Sequence, residues 1–310
     1  MINIANIIDP KKCYEEIRRI RWKDGVICPN CGSCDVKKSG FNFQNKYQQH
    51  YKCKSCKKKF DDLTGTVFAK HNLSVALMVI FLYFLGLNLS NNQIAQELNL
   101  KQSTAQNIAT TLREEILENK PKVKIEEKCE IDEVYVVAGH KGNSKAVQAK
   151  DRKPRVRRLK GARGRGTAKN DKVPIVGIIQ RNGRLIIEMF PDVQQVTIKP
   201  FITENIEKKT LIYTDEYNIY SRLIEWGYEH KTVCHSKGEY ARDEDADGFY
   251  EVHTNTIEGV WSLLRSWLRL HRGISQEHLP SYIGFFEFTH NVRKRGKNLL
   301  DSLLQVLLRC

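Results

Sequence analysis

A chain of 310 residues with 51 Lys and Arg against 36 Asp and Glu has a formal charge of +15. It is long enough for two or three domains with a real core, and its charge matches a polyanion, either nucleic acid or an anionic membrane surface. The longest apolar run, residues 75–87, is shorter than the ~20 residues a membrane-spanning helix needs. The N-terminus lacks the charged-then-apolar layout of a signal peptide. The expectation is therefore a soluble intracellular protein with no membrane partner, in which nine cysteines argue for metal ligation over disulfides.

Four regions are expected: 1–70, rich in cysteine; 71–120, helical; 127–295, alternating strands and helices; and 296–310, a helical tail. In the first, Cys28-Pro-Asn-Cys31 and Cys53-Lys-Ser-Cys56 form two CxxC knuckles. Each knuckle brings two thiolates to one ion, and together they complete a tetrahedral zinc site. With all four positions taken by thiolate, the ion is structural. Cys34 is left out because Cys28 and Cys31 already fit the spacing, and Gly32 stands where the knuckle needs a tight turn. The stretch between the knuckles alternates as a hairpin strand does. Cys13, Cys129, Cys234 and Cys310 are isolated and are read as ordinary small or buried residues.

In the second region, residues 73–87 are apolar almost all round and predict a buried helix. Ser90 or Asn91 can cap a second helix, and residues 104–115 predict a third, with Ile108 and Leu112 four apart. Such a segment is either a DNA-binding helix-turn-helix with its second helix in the major groove or a plain helical hairpin. On the first reading, Lys101, Gln102, Ser103, Gln106 and Asn107 are the candidate DNA contacts.

The third region predicts strands at 129–137, 173–179 and 184–190, with Asn182-Gly183 as a hairpin turn. A helix over 197–206, a strand over 210–214, a helix over 217–226, a short strand at 231–233 and a long helix over 255–270 follow. Together they describe an α/β fold with a mixed sheet covered by helices. The segment 152–172, RKPRVRRLKGARGRGTAKNDK, is too basic and too poor in large apolar residues to fold alone. It is either a solvated linker or a DNA-backbone contact through Arg155, Arg157, Arg158, Arg163 and Arg165.

Three acids stand out in this region. Asp132 and Asp215 close short β-favouring runs, and Glu258 opens a helix. Carboxylates so placed can hold one or two divalent cations for phosphoryl transfer. Arg265 returns to the face of Glu258 two turns later, where a cation can grip a phosphate, while Trp261 and Leu264 are expected to face the core.

The stretches HTNTIEGVW, TDEYNIY, GYEHKTVCHS and HLPSYIGFFEFTHNVRKR resemble insertion-sequence DDE transposases of the Merlin superfamily, with an ISXO2-like transposase domain after a zinc ribbon. The resemblance covers nearly the whole chain. It implies an RNase H-like catalytic core preceded by a zinc ribbon and a helix-turn-helix segment. It also implies Asp132, Asp215 and Glu258 as ligands of Mg2+ or Mn2+, Arg265 in the place of a basic residue that follows the Glu, and Asn255 as an alternative third residue. Cys234 departs from the family, which usually has Asn in an Asn-His-Ser stretch; His235 and His253 either orient water, contact DNA or are structural. The implied activity is cleavage at terminal inverted repeats and joining of the 3′ ends to target DNA. It would be carried out by a homodimer or higher oligomer in a prokaryotic, nucleoid-containing cytoplasm. The rival functions are a zinc-ribbon transcription regulator without catalysis and a nuclease that cuts without joining.

Overall fold

The computed structural model describes residues 9–71, 73–140, 145, 148, 168, 171–181, 183–271, 273–294 and 298–308. Two compact units emerge, Met1–Lys120 with Arg295–Cys310, and Pro121–Lys294.

In the first unit, helix α1 (Pro10–Arg21) is capped by Asp9 and buries Cys13, Tyr14 and Ile17 on one face. Strands β1 (Val36–Phe41), β2 (Gln49–Cys53) and β3 (Lys59–Asp61) form an antiparallel sheet in that order. Alternate residues of β2 are buried, as the two-residue period of a strand requires. Tyr51 stacks on its register partner Phe60, with ring centroids 5.3 Å apart. The buried Asp62 ties α1 to the sheet by accepting from Arg18 Nη1 (2.8 Å), the Gln49 amide (2.7 Å) and the Tyr51 hydroxyl (3.0 Å).

Helices α2 (Val75–Gly86), α3 (Asn91–Glu97) and α4 (Gln102–Asn119) follow. Ser74 caps α2, and Ser90 with Gln93 forms a reciprocal capping box on α3. Asn99, in the left-handed region at φ 51°, ends α3 and turns the chain into α4. Ala105, Ile108, Ala109, Leu112 and Ile116 make the buried stripe of α4 at helical spacing.

In the second unit, the sheet contains β4 (Lys128–Val137), β5 (Lys172–Gln180), β6 (Leu185–Met189), β7 (Leu211–Asp215) and β8 (Glu229–Val233), ordered β6-β5-β4-β7-β8. The first three pair antiparallel, and β4, β7 and β8 pair in parallel. Helix α5 (Gln195–Asn205) crosses from β6 to β7. A two-residue ladder, β9 (Ala241–Arg242) with β10 (Val252–His253), brackets the acidic stretch that leads to α6 (Asn255–Arg269), and α7 (Leu279–Lys294) follows. One face of the sheet packs Ile131 and Ile178 against Ile198, Ile202 and Trp226; the other packs Val134 and Ile175 against Ile257, Trp261 and Ile283. This is a five-stranded mixed sheet with helices on both faces. The edge strand β6 is covered by α7: Asn291 pairs with both backbone groups of Leu185, and Glu287 accepts from the Ile187 amide.

The expected helix over 217–226 does not form. A 3-10 turn (Asn218–Tyr220) and further tight turns replace it. The backbone bonds Tyr220 N to Tyr217 O, Leu223 N to Tyr220 O and Trp226 N to Leu223 O all close over three residues. Tyr220, Leu223 and Trp226 are buried at the same interval, so the three-residue period, not the α period, seats them. Elsewhere the expected strands and helices form, most with bounds shifted by a residue or two, while the helix expected over 104–115 runs four residues further, to Asn119. Asn182 of the hairpin turn, Cys310 and all five arginines named in the basic loop lie outside the described residues. The last helix, α8 (Leu299–Leu307), packs within the first unit, where Leu299 and Leu303 close on Gly86 and Asp301 pairs with Arg19 at 3.2 Å.

Candidate functional site

Strand order puts the two aspartates on neighbouring central strands. Glu130 of β4 stands opposite Tyr213 of β7 as the last pair of a parallel ladder, and Asp132 and Asp215 each follow two residues beyond it. On its other side Asp132 pairs with Gly177 of β5. Helix α6 lies over this point. A Cβ at Gly177 would sit 2.4 Å from Trp261 Cη2, so only glycine admits the indole here. The seated indole donates its N–H to Asp132 Oδ2 at 2.9 Å.

Burial raises the Asp132 carboxyl from its ordinary 3.8 to about 6. The charges of Asp215 and Glu258 push the same way, against the bonds from the Glu133 backbone and Trp261. Asp215 is held by the Tyr217 amide, which donates to Oδ1 at 3.0 Å. Glu258 lies in the first turn of α6, half exposed, with Oε1 3.6 Å from His235 Nε2. Asp215 and Glu258 thus both lie near enough for their charges to act on Asp132. Asn255, the first residue of α6, is exposed, and its backbone N–H donates to His253 Nδ1 at 3.3 Å. Arg265 is exposed further along the helix face that carries Glu258. Cys234 Sγ lies 3.2 Å from Ser236 Oγ.

Several site residues escape a sequence reading. Trp261 does face the core, as its spacing predicts, yet its N–H also serves a site carboxylate. Glu130 is fully buried beside the start of α6. It accepts from Arg181 Nε (3.0 Å), Thr256 Oγ1 (2.9 Å) and the Ile257 amide (3.0 Å), with His253 Nδ1 at 3.3 Å. The available signal was strand alternation, which puts Glu130 on the same face of β4 as Asp132.

In the first unit the sulfurs of Cys28, Cys31, Cys53 and Cys56 all lie within 4.8 Å of one another. The closest pairs are Cys28 with Cys56 at 3.7 Å and Cys31 with Cys53 at 3.6 Å. Gly32 takes φ +72° behind the first knuckle, and Lys57 takes φ +61° at the equivalent place behind the second. The Cys56 backbone N–H pulls the Cys53 thiol down to about 6, toward the thiolate that a metal needs. This donor set fits structural zinc and leaves no open position. Cys34 is exposed and outside the group.

At the start of α4, Lys101, Gln102, Ser103, Gln106 and Asn107 are all exposed. Gln106 is also engaged internally: Asn91 Nδ2 donates to its Oε1 at 2.6 Å, and Asn91 Oδ1 accepts from the buried Arg113 Nη2 at 3.2 Å. This bridge ties α3 to α4.

A sequence profile described as an ISXO2-like transposase domain matches residues 124–291, more than half of the chain. The chain belongs to the ISXO2-like transposase family. The N-terminal part of this transposase, residues 9–59, matches a profile described as a transposase zinc-ribbon domain. An uncharacterized protein in transposable element ISH50 of Halobacterium salinarum is 30% identical over 312 residues, covering 99% of the transposase and 100% of that protein. An uncharacterized transposase-like protein of Haemophilus influenzae is 27% identical over 101 residues, 33% of this chain and 76% of that one. Solved structures resemble it only remotely. A chain of a simian T-cell lymphotropic virus intasome has a TM-score of 0.29 at 9% identity, covering 67% of each chain. One from the Mos1 strand transfer complex has a TM-score of 0.24 at 12% identity, covering 66% of this chain and 71% of that chain. No helix among the described residues is long and apolar enough to cross a membrane.

Proposed function

We propose that the transposase cuts DNA at the inverted repeats of its element and joins the 3′ ends to target DNA by metal-dependent phosphoryl transfer. The observation that carries this is the placement of Asp132 and Asp215 on adjacent central strands, with α6, the helix of Glu258, docked on Asp132 through the Trp261 N–H. Two carboxylates on adjacent strands and a third on the helix over them would suit a divalent cation, which takes oxygen ligands. Asp132, Asp215 and Glu258 would hold one or two Mg2+ or Mn2+ ions. When bound, such ions activate an attacking oxygen and neutralise charge on the phosphate. Trp261 fixes the Asp132 carboxylate through its indole N–H. His235 beside Glu258 can hold or release a proton at Nε2. Arg265 would grip a DNA phosphate. Lys101, Gln102, Ser103 and Asn107 would contact the terminal repeat, with the arginines at 155, 157, 158, 163 and 165 adding backbone contacts. Joining two ends calls for at least a homodimer, working on DNA in the cytoplasm.

The test incubates the purified protein and Mg2+ with DNA carrying the element's inverted repeats and a target duplex. Joined products are expected, with a loss on the order of a thousandfold or more for Asp132→Asn, Asp215→Asn and Glu258→Gln. Variants that join as well as the parent would refute the assignment. Cut ends without joining would mean a nuclease, and binding without cutting a regulator.

A further inference from the structure

We infer that Glu130 and Arg181 form a positioning clamp that sets the three carboxylate-bearing elements against one another and so places Glu258 over Asp132. The inference rests on the metal-site reading above and concerns residues that touch neither metal nor DNA.

Glu130 is two residues from Asp132 on the same face of β4, a separation of ~6.6 Å along a strand. It supplies what α6 lacks locally. Thr254, at the N-cap position, makes no side-chain cap bond, and Glu130 accepts from the Ile257 amide in its stead. Its other oxygen accepts from Thr256 Oγ1. The residue after Ile257 is Glu258, so the clamp acts on the backbone immediately beside the third carboxylate.

Arg181 follows the last residue of β5 and balances the buried Glu130 charge at 3.0 Å. Its remaining nitrogens donate to the carbonyls of Glu251 and His253, which lead into α6. Its guanidinium lies 3.8 Å over the ring of Tyr213. Tyr213 is the register partner of Glu130 and precedes Asp215 by two residues. Clamp and carboxylates therefore occupy successive layers of the same elements: Glu130 and Tyr213 lie below, and Asp132 and Asp215 above. A buried ion pair adds little stability over an apolar pair of similar size, but it is demanding in geometry. That demand suits it to hold β4, β7 and α6 in register.

The test is a double-mutant cycle on Mn2+ affinity, followed by electron paramagnetic resonance on the zinc-loaded full chain. Binding that survives Asp132→Asn is subtracted as background. Glu258→Gln, Glu130→Gln and the double variant are compared, with urea midpoints measured alongside. Glu130→Gln is expected to weaken Mn2+ at least tenfold in the parent and less than twofold when Glu258 is already Gln, because it acts through Glu258. If Glu130→Gln is too unstable to purify, Thr256→Ala removes one clamp bond and is carried through the same cycle, with an expected loss of about threefold in the parent only. Equal losses in both backgrounds, or none in either, would overturn the clamp while leaving the metal site standing. If Glu258→Gln binds Mn2+ as the parent does, the metal-site reading fails first and takes the clamp with it.

Discussion

Replacing Asp132 by Asn should stabilise the metal-free protein at neutral pH while abolishing joining. In the fold the Asp132 carboxyl ionises at about 6, against 3.8 for the ordinary side chain. The folded state thus holds its proton more tightly than the unfolded state does. The associated stability is full below pH 3.8 and is lost as pH rises through 6. The difference corresponds to about 3 kcal/mol lost at pH 7.5, and to roughly half of that at pH 5. Asn keeps an oxygen acceptor for Trp261 but carries no charge, so the variant escapes the loss. Three of the four tryptophans, Trp226, Trp261 and Trp267, belong to the second unit, so tryptophan fluorescence in urea reports on it. At an m-value of about 2 kcal/mol/M, the midpoint of Asp132→Asn should rise by roughly 1–1.5 M at pH 7.5 without added Mg2+ or Mn2+, and by about half as much at pH 5. Millimolar Mn2+ should then raise the parent's midpoint but not the variant's. An unchanged or lower midpoint at pH 7.5, or a gain independent of pH, would refute the reasoning that Asp132 is a desolvated, partly buried carboxylate.

Gly177→Ala should cost about 2 kcal/mol or more by driving a methyl group into the Trp261 ring, read as a lower urea midpoint; a change below 0.5 kcal/mol would mean that α6 moves aside freely. Trp261→Phe keeps a ring in the same hollow but removes the donor to Asp132. Since that bond lowers the Asp132 value, its loss should raise the value further and move the acidic limb of the joining rate to higher pH, whereas an unchanged pH profile would exclude the indole from the site. Cys53→Ser should release zinc, measured by a chromophoric chelator, and abolish DNA binding while leaving the fluorescence transition of the second unit in place. Retained zinc would show that the remaining three thiols suffice.

The zinc site was legible because both knuckles are local: a CxxC spacing brings its sulfurs together whatever the remainder of the chain does, and Gly32 marks the turn that permits it. The strands were legible for a related reason, since burial on both faces gives β5 a nearly unbroken apolar run. The stretch 217–226 misled because its apolar residues suit both periods, and only packing of Tyr220, Leu223 and Trp226 against the sheet selected the three-residue one. Glu130 went unread for another reason. A buried carboxylate has no distinctive local pattern, and its partners Arg181 and Ile257 lie 51 and 127 residues away.

By itself the sequence determined which residues are chemically able to act: four thiols at ligand spacing, acids at Asp132, Asp215 and Glu258, and a strongly basic chain. Local spacing and charge are properties of the chain before it folds. The tertiary structure alone decided that Asp132 and Asp215 lie on adjacent strands just beyond their last paired residues, that α6 seats Trp261 in the hollow at Gly177, and that the buried Glu130, paired with Arg181, grips the start of that helix. Strand register and helix docking are set by pairing and packing between distant segments, and these are also what desolvate Asp132 and raise its carboxyl to about 6.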